Sequence, residues 1–188
     1  MSSHHIIREN QEPALLVIDI EALSEESLGQ LLEWSPIVLT TDTNVDFFLS
    51  RGIKMDVVFT ANADFHVDQD GISILPLHHI LPDALHYLTG KNQFALHILW
   101  NDFSADALIE HSQQFTFAVY SQQFKYVLRS SFHKWVPQGN VMKVMSSGAA
   151  YRVENLKPIG DATYETVEDG FVSIHSHSEN SLIIGEAL

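Results

Sequence analysis

Short apolar runs alternate with segments of helical spacing through the first half of the chain. Ala14-Leu-Leu-Val-Ile-Asp-Ile20 is apolar and partly β-branched, the pattern of a strand buried on both faces. Ser24, Glu25 and Glu26 predict a helix start, with a hydroxyl cap and carboxylates near the positive end of the dipole. Leu28, Leu31 and Leu32 keep helical spacing, and Pro36 closes the segment. Ile37–Thr41 predicts a second strand, and Asp42 or Thr43 is placed to cap a helix carrying Val45, Phe48 and Leu49 to its end at Gly52. Met55–Thr60 and Ile72–Leu75 follow as strands. A helix with Leu81, Ala84, Leu85 and Leu88 on one face stops at Gly90, and Phe94–Trp100 is a further strand. Ser104 is placed to cap a helix through Leu108.

Beyond about residue 114 the helical period disappears. Phe115–Tyr120, Phe124–Leu128, Asn140–Met145, Ala162–Val167, Phe171–His175 and Leu182–Gly185 read as strands, with Asp169-Gly170 as a hairpin turn. Repeated β-α units imply a parallel sheet with helices on its faces. The expected fold class is α/β: a three-layer parallel-sheet domain over 1–114, then an all-β, sandwich-like domain over 115–188. No internal repeat or low-complexity segment interrupts this order.

Composition narrows the possibilities. The 188 residues are 45% hydrophobic, enough for a sizeable core, and include 24 acidic against 10 basic side chains, a net charge of −14. That balance argues against nucleic acid, whose phosphates call for clustered Lys and Arg. No apolar run reaches the ~20 residues of a membrane span, so no membrane partner is expected. The absence of cysteine removes disulfides and thiolate sites and fits the cytoplasm. The charge is uneven: residues 1–124 carry 17 acids and 4 bases, residues 125–157 six bases and one acid, and residues 158–188 six acids and no base. The positive segment is either a solvated β-surface or an electrostatic complement to an anionic ligand or to a second subunit.

Ligands of open parallel sheets collect outside the carboxyl ends of the strands. Here those ends are polar: Thr40-Thr41-Asp42-Thr43-Asn44, Thr60-Ala61-Asn62-Ala63-Asp64 and Trp100-Asn101-Asp102. Asp42, Thr43, Asn44, Asn62, Asp64, Asn101 and Asp102 are therefore candidate ligand contacts, with Trp100 as a stacking surface. The competing reading makes them helix caps and turn formers. No glycine-rich loop follows the first strand, and Lys91 is the sole Lys or Arg between residues 55 and 124.

The stretch Thr41-Asp42-Thr43-Asn44-Val45-Asp46-Phe47-Phe48-Leu49-Ser50-Arg51-Gly52-Ile53-Lys54-Met55-Asp56 resembles a block of thiamin pyrophosphokinase, written approximately A-D-G-G-A-N-x-L-x-x-x-G-I-x-P-D. Asp42, Gly52, Ile53 and Asp56 fall in register, and the element order resembles that family along nearly the whole chain. The resemblance implies a nucleotide-binding α/β domain, a thiamin-binding β-sandwich and diphosphate transfer from ATP to thiamin. ATP and Mg²⁺ are implied as co-substrate and cofactor only if that activity is retained. Asp42 becomes a nucleotide or metal contact and Trp135 a thiamin-side ring. The resemblance also implies a homodimer, in which residues 125–157 would face an acidic surface of the second copy. The chain departs from the family where it has G-D-F-D-S, since Thr60–Asp64 puts Ala61 and Ala63 at its two carboxylates. A later Thr-Asp aligns with His79-Ile80, and G-G-R-x-D-H has no counterpart near Trp100–Phe103. The expectation is a thiamin pyrophosphokinase-like protein with weakened or lost catalysis and no assigned catalytic residue. The alternative is a non-catalytic small-molecule-binding or dimeric interaction protein on the same fold.

Eleven histidines raise a third reading, a metal enzyme. His175-x-His177-x-Glu179 would share one strand face, because strand side chains alternate. His78, His79 and His86 form a second group and His4-His5 a third. Polar surface explains each of them equally, and no metal site is assigned.

Overall fold

The structure, a computed structural model, describes residues 12–34, 36–146, 148, 150–177 and 181–188. The chain divides into two compact units, Met1–Leu99 and Trp100–Leu188. This division lies upstream of the expected 114/115 boundary and groups the Ser104-capped helix with the second unit.

In chain order the first unit comprises β1 (Ala14–Val17), α1 (Glu25–Leu32), β2 (Val38–Thr41), α2 (Val45–Ser50), β3 (Val57–Thr60), β4 (Ser73–Pro76), α3 (Ile80–Gly90) and β5 (Ala95–Leu99). The five strands are parallel, in the order β5-β1-β2-β3-β4. Every residue of β1, β2 and β3 is buried, so these strands are covered on both faces; their runs do not alternate, and their polar members, Thr40, Thr41 and Thr60, fall at the carboxyl ends. The crossover helices supply that cover through Leu28, through Val45 and Phe48, and through Leu81, Ala84, Leu85 and Leu88. Each such side chain contributes on the order of 1.5–3 kcal/mol by leaving water. Strand β4, at the end of the order, alternates half-buried and exposed residues.

Local signals account for the helix ends. The Ser24 hydroxyl accepts the Ser27 backbone N–H at 3.2 Å, capping α1 as its sequence predicts. Asp42 and Thr43 do not cap α2: with Asn44 they form a 3₁₀ turn, and α2 has no side-chain cap. Gly52 ends α2 in the left-handed conformation, φ 63°. Asp56 then accepts the Val38 backbone N–H at 2.9 Å, tying the start of β3 to β2.

The second unit comprises α4 (Ala105–His111), β6 (Thr116–Ser121), β7 (Phe124–Arg129), β8 (Ser131–Val136), β9 (Val141–Met145), β10 (Tyr151–Glu154), β11 (Leu156–Gly160), β12 (Thr163–Thr166), β13 (Gly170–Ser176) and β14 (Leu182–Ala187). Strands β11-β12-β9-β14-β7-β6 form one antiparallel layer and β10-β13-β8 another. Val136, Met142, Val144, Val172, Ile174, Leu182 and Ile184 make the core between them, so the sandwich follows from alternating inward residues on both layers. Gly185 faces Tyr126 across β14 and β7. A Cβ there would meet the Tyr126 ring at 2.5 Å, so only glycine admits the ring.

Three strands, β8, β10 and β11, go beyond the sequence expectation. Their outward positions carry Ser, His, Lys, Arg and Glu, which mask the apolar alternation. The Asp169-Gly170 hairpin is corrected. Strand β12 pairs with β11 and β9 while β13 pairs with β10 and β8, so the chain passes between layers there, and Gly170 is not left-handed. The tight two-residue turn is instead Gln122-Gln123, between β6 and β7, with φ of 48° and 67°.

Candidate functional site

The polar residues after β2 and β3 come together at the carboxyl edge of the first unit's sheet, and their hydrogen bonds show what each does. Asn44 is buried; its amide donates to the carbonyls of Val17 at 3.2 Å and Ile18 at 3.0 Å and meets the hydroxyls of Thr40 and Thr41. Thr40, fully buried, donates to the Val17 carbonyl at 3.0 Å. These two side chains latch the end of β2 to the end of β1, which gives Asn44 a role in the fold.

Asp42 and Thr43 lie nearer the surface. The Asp42 carboxylate accepts the Thr60 hydroxyl at 2.5 Å, and the exposed Thr43 hydroxyl pairs with that of Thr41 at 2.7 Å. Thr60 is the partner that sequence reading missed. The signal was its position as the last residue of β3, at the head of the polar stretch Thr60–Asp64 from which only Asn62 and Asp64 became candidate contacts. Beyond it, Asn62 donates its backbone N–H to the Thr60 hydroxyl at 3.0 Å, and its side-chain oxygen accepts the Asp64 backbone N–H at 3.0 Å. Asn62 therefore shapes the turn that presents Asp64, and both residues are exposed. The strand order reverses at β1, where Asp19 follows the strand and donates its N–H to the Leu99 carbonyl at 3.0 Å. Asp19 was not among the sequence candidates.

Trp100, Asn101 and Asp102 fall in the second unit. Asn101 accepts the Ser121 hydroxyl on its carbonyl at 2.9 Å and the Gln122 backbone N–H on its side-chain oxygen at 3.3 Å, so it braces the β6–β7 turn. Trp100 is half-buried and Asp102 exposed. Trp135 is an exposed residue of β8, opposite exposed Phe171 of β13; His133 stacks on the Phe171 ring at 4.7 Å and bonds the Ser173 hydroxyl through Nδ1 at 2.9 Å. These side chains form an aromatic row on the outer face of the three-stranded layer.

Magnesium takes octahedral oxygen ligands, usually one or two carboxylates completed by waters and substrate phosphates. The residues present do not fit a dedicated magnesium site. Asp42 is bonded to Thr60, Asp64 stands alone on an exposed turn, and alanines occupy 61 and 63. Among the described residues no three His, Asp or Glu side chains are grouped to hold a metal. His175 is exposed on β13, but the strand ends at Ser176, so His177 lies beyond it instead of sharing its face. Glu179 and His4-His5 lie outside the described residues. His78 and His86 do line one groove of the first unit. Among the described residues no buried side-chain nitrogen or oxygen lacks a hydrogen-bond partner, the buried Thr40, Thr41, Asn44 and Thr60 at the strand ends included.

No protein-family profile and no curated protein sequence matches the chain. Solved structures do. Thiamine pyrophosphokinase from Bacillus subtilis aligns at a TM-score of 0.64 with 10% identity, over 94% of this chain and 99% of that one. Thiamin pyrophosphokinase from Candida albicans aligns at 0.66 with 8% identity, over 94% and 89%. The yeast enzyme aligns at 0.61 with 9% identity, over 97% and 88%. The chain has the thiamin pyrophosphokinase fold. Within that fold the block that drew attention in the sequence serves structure. Gly52 ends a helix, Asp56 ties two strands, and Asp42, Thr43 and Asn44 stand at the carboxyl edge of the sheet.

Proposed function

We propose that this protein binds a small molecule, thiamin or a nucleotide, on the thiamin pyrophosphokinase fold, with diphosphate transfer from ATP weakened or lost. The observation that carries this reading is the donor set after β3: Ala61 and Ala63 bring no oxygen, Asn62 shapes the turn, and Asp64 is a lone exposed carboxylate. Metal-assisted phosphoryl transfer depends on charge-neutralising ligands positioned about the phosphates, and this edge supplies few. In this reading the nucleotide side belongs to the α/β part, with Asp42, Thr43 and Asp64 as contacts, and Trp135 is the thiamin-side ring of the β part. The lack of cysteine fits a cytoplasmic setting, and among the described residues no helix is long and apolar enough to cross a membrane.

Thermal-shift titration with ATP, AMP, thiamin and thiamin diphosphate tests the binding, because a ligand of the native state raises Tm. A rise with one of the four and no AMP production from ATP, thiamin and Mg²⁺ is the expected result. Robust turnover overturns the loss of catalysis, and silence from all four overturns the ligand assignment.

A second reading, a homodimeric interaction protein, is favoured by the row of Trp135, Phe171 and His133. We place the second copy on that face, because exposed aromatic rings on a sheet surface gain most from being covered. Light scattering of the wild type and of Trp135→Lys separates the cases: the expected dimer becomes a monomer in the variant, and a wild-type monomer ends the proposal.

A further inference from the structure

Strand β4 ends the first unit's sheet, and among the described residues no strand lies beyond it. Its bonds to β3 set the direction of its backbone groups. Ser73 donates its N–H to the Asp56 carbonyl and Leu77 to the Thr60 carbonyl, each at 2.9 Å. Successive residues of a strand point their backbone groups to opposite sides, so Ile74 and Pro76 turn theirs away from β3. Ile74 offers an N–H and a C=O at this edge. Pro76 offers a C=O alone, in the place where a proline removes no ladder bond. Edges of this kind are commonly guarded by charged side chains. Residues 71–77 carry none, and Pro76 guards only the last position.

A groove of about 550 Å³ adjoins this strand, lined by Phe59 of β3, Leu75 of β4, and His86 and Tyr87 of α3. Phe59 and Leu75 are register partners and share one face of the sheet. A strand added to β4 would send every second side chain to that face, toward the groove. Its other side chains would cover Ile74, which is 39% exposed. Asp83 and Lys91 also line the groove and are engaged within the chain, Asp83 with the backbone N–H groups of His78 and His79, Lys91 with the Tyr87 ring. An added strand asks no bond of either.

The loop before β4 supplies charge. Asp68 and Asp70 are exposed, and neither forms an ion pair among the described residues. Gln69, between them, ties the loop to the start of β3: its amide donates to the Met55 carbonyl at 2.7 Å and its oxygen accepts the Met55 N–H at 3.3 Å. Lys54, which lines a pocket with Gln69, is paired with Asp56 at 2.9 Å. Two carboxylates thus lead into an uncharged strand edge.

We propose that β4 receives an extended peptide of a partner protein as a further strand, with apolar residues at alternate positions and Lys or Arg where it meets Asp68 and Asp70. Strand addition takes its affinity from main-chain bonds and its selectivity from pockets for alternate side chains. The surface uses neither Asp42 nor Trp135, so it stands whether or not the small-molecule and dimer readings hold.

Fluorescence anisotropy of a fluorescein-labelled peptide, Lys-Lys-Val-Thr-Val-Thr-Val-Lys-Lys, titrated with the full chain tests the proposal. Saturation at one peptide per chain is expected, with binding about tenfold weaker when glutamate replaces every lysine. The lysine peptide N-methylated at its central amides lacks the donors for pairing and is expected not to bind. In the protein, Ile74→Pro removes the outward N–H without removing a bond to β3, and abolishes binding. Asp68→Asn combined with Asp70→Asn weakens binding about fivefold, as two exposed ion pairs supply. Absence of saturable binding, equal affinity for the lysine and glutamate peptides, undiminished binding of the methylated peptide, or undiminished binding to folded Ile74→Pro overturns the proposal. A wild-type oligomer that light scattering shows to dissociate in Ile74→Pro also overturns it, by giving the edge to a second copy.

Discussion

At the scale of single residues, the side chains at the ligand edge divide into those that hold the backbone and those that face outward. Asn44 satisfies two carbonyls at the end of β1 from the end of β2. Truncating it removes the side-chain donor to the Ile18 carbonyl and one of two to the Val17 carbonyl, so Asn44→Ala is expected to cost roughly 1–3 kcal/mol of stability, read in a urea titration. A Thr43→Ala change, at an exposed hydroxyl, stays within about 0.5 kcal/mol. Asp83 adds a pH dependence. Burial acts to raise its carboxyl, but the backbone N–H groups of His78 and His79 and the nearby imidazoles outweigh it and hold the group below the usual carboxylate range. A folded-state value below the unfolded one stabilises at pH above the unfolded value, and this contribution is lost as pH falls through the folded value. The Tm difference between wild type and Asp83→Asn is therefore expected to be full near neutrality and to shrink as pH drops below about 4. A difference that is constant down to low pH contradicts the capping role.

At the scale of elements, what the sequence disclosed depended on how many faces of an element are buried. Strands β1, β2 and β3 are buried throughout and stand out as apolar runs. Strand β8 buries Val136 while Ser131, His133 and Trp135 face out, so its run carries no apolar signature. The site suffered the same ambiguity: Thr, Asn and Asp at strand ends are suited equally to ligands and to caps, and only the partner atoms separate Asn44 from Asp42. Lys91 was visible as the sole Lys or Arg between residues 55 and 124, but that it lines a groove depends on β3, β4 and α3 meeting, which no local pattern records. The Gln122-Gln123 turn shows the reverse case, geometry against local preference. Two non-glycine residues hold positive φ, which side chains disfavour by roughly 1 kcal/mol each. The bonds that hold this turn, from Gln122 N–H to Asn101 and from Leu188 N–H to the Gln123 carbonyl, use its backbone groups and survive replacement of the side chains. Substituting Asn-Gly for Gln122-Gln123 is expected to stabilise the protein by about 1–2 kcal/mol, seen as a higher denaturation midpoint at unchanged slope. A lower midpoint would show that the glutamine side chains contribute contacts of their own.

At the scale of the whole molecule, a fold is shared almost without shared sequence. The chain spans 99% of the Bacillus subtilis structure at 10% identity, and two of the four positions in register in the resembling block, Gly52 and Asp56, hold a helix end and a strand pair. Charge follows the same division. Three of the six cations of 125–157 form ion pairs within the second unit, Lys134 with Glu186, Lys157 with Glu165 and Arg152 with Glu154. If the fold persists and only the donors are gone, returning the donors should return metal binding without a change of fold. Ala61 and Ala63 are both exposed, on the turn between Thr60 and Asp64, so carboxylates there meet no packing constraint. Each would stand within the segment that already presents Asp64, across from Asp42. The double variant Ala61→Asp, Ala63→Asp is expected to gain a Mg²⁺-dependent rise in Tm, corresponding to about 1.4 kcal/mol at ten times the dissociation constant, while the wild type stays flat over the same titration. A flat response in the folded variant would mean that the backbone of this edge, as well as its side chains, has moved away from metal binding. A rise already present in the wild type would place the metal on Asp42 and Asp64 and reopen the case for phosphoryl transfer.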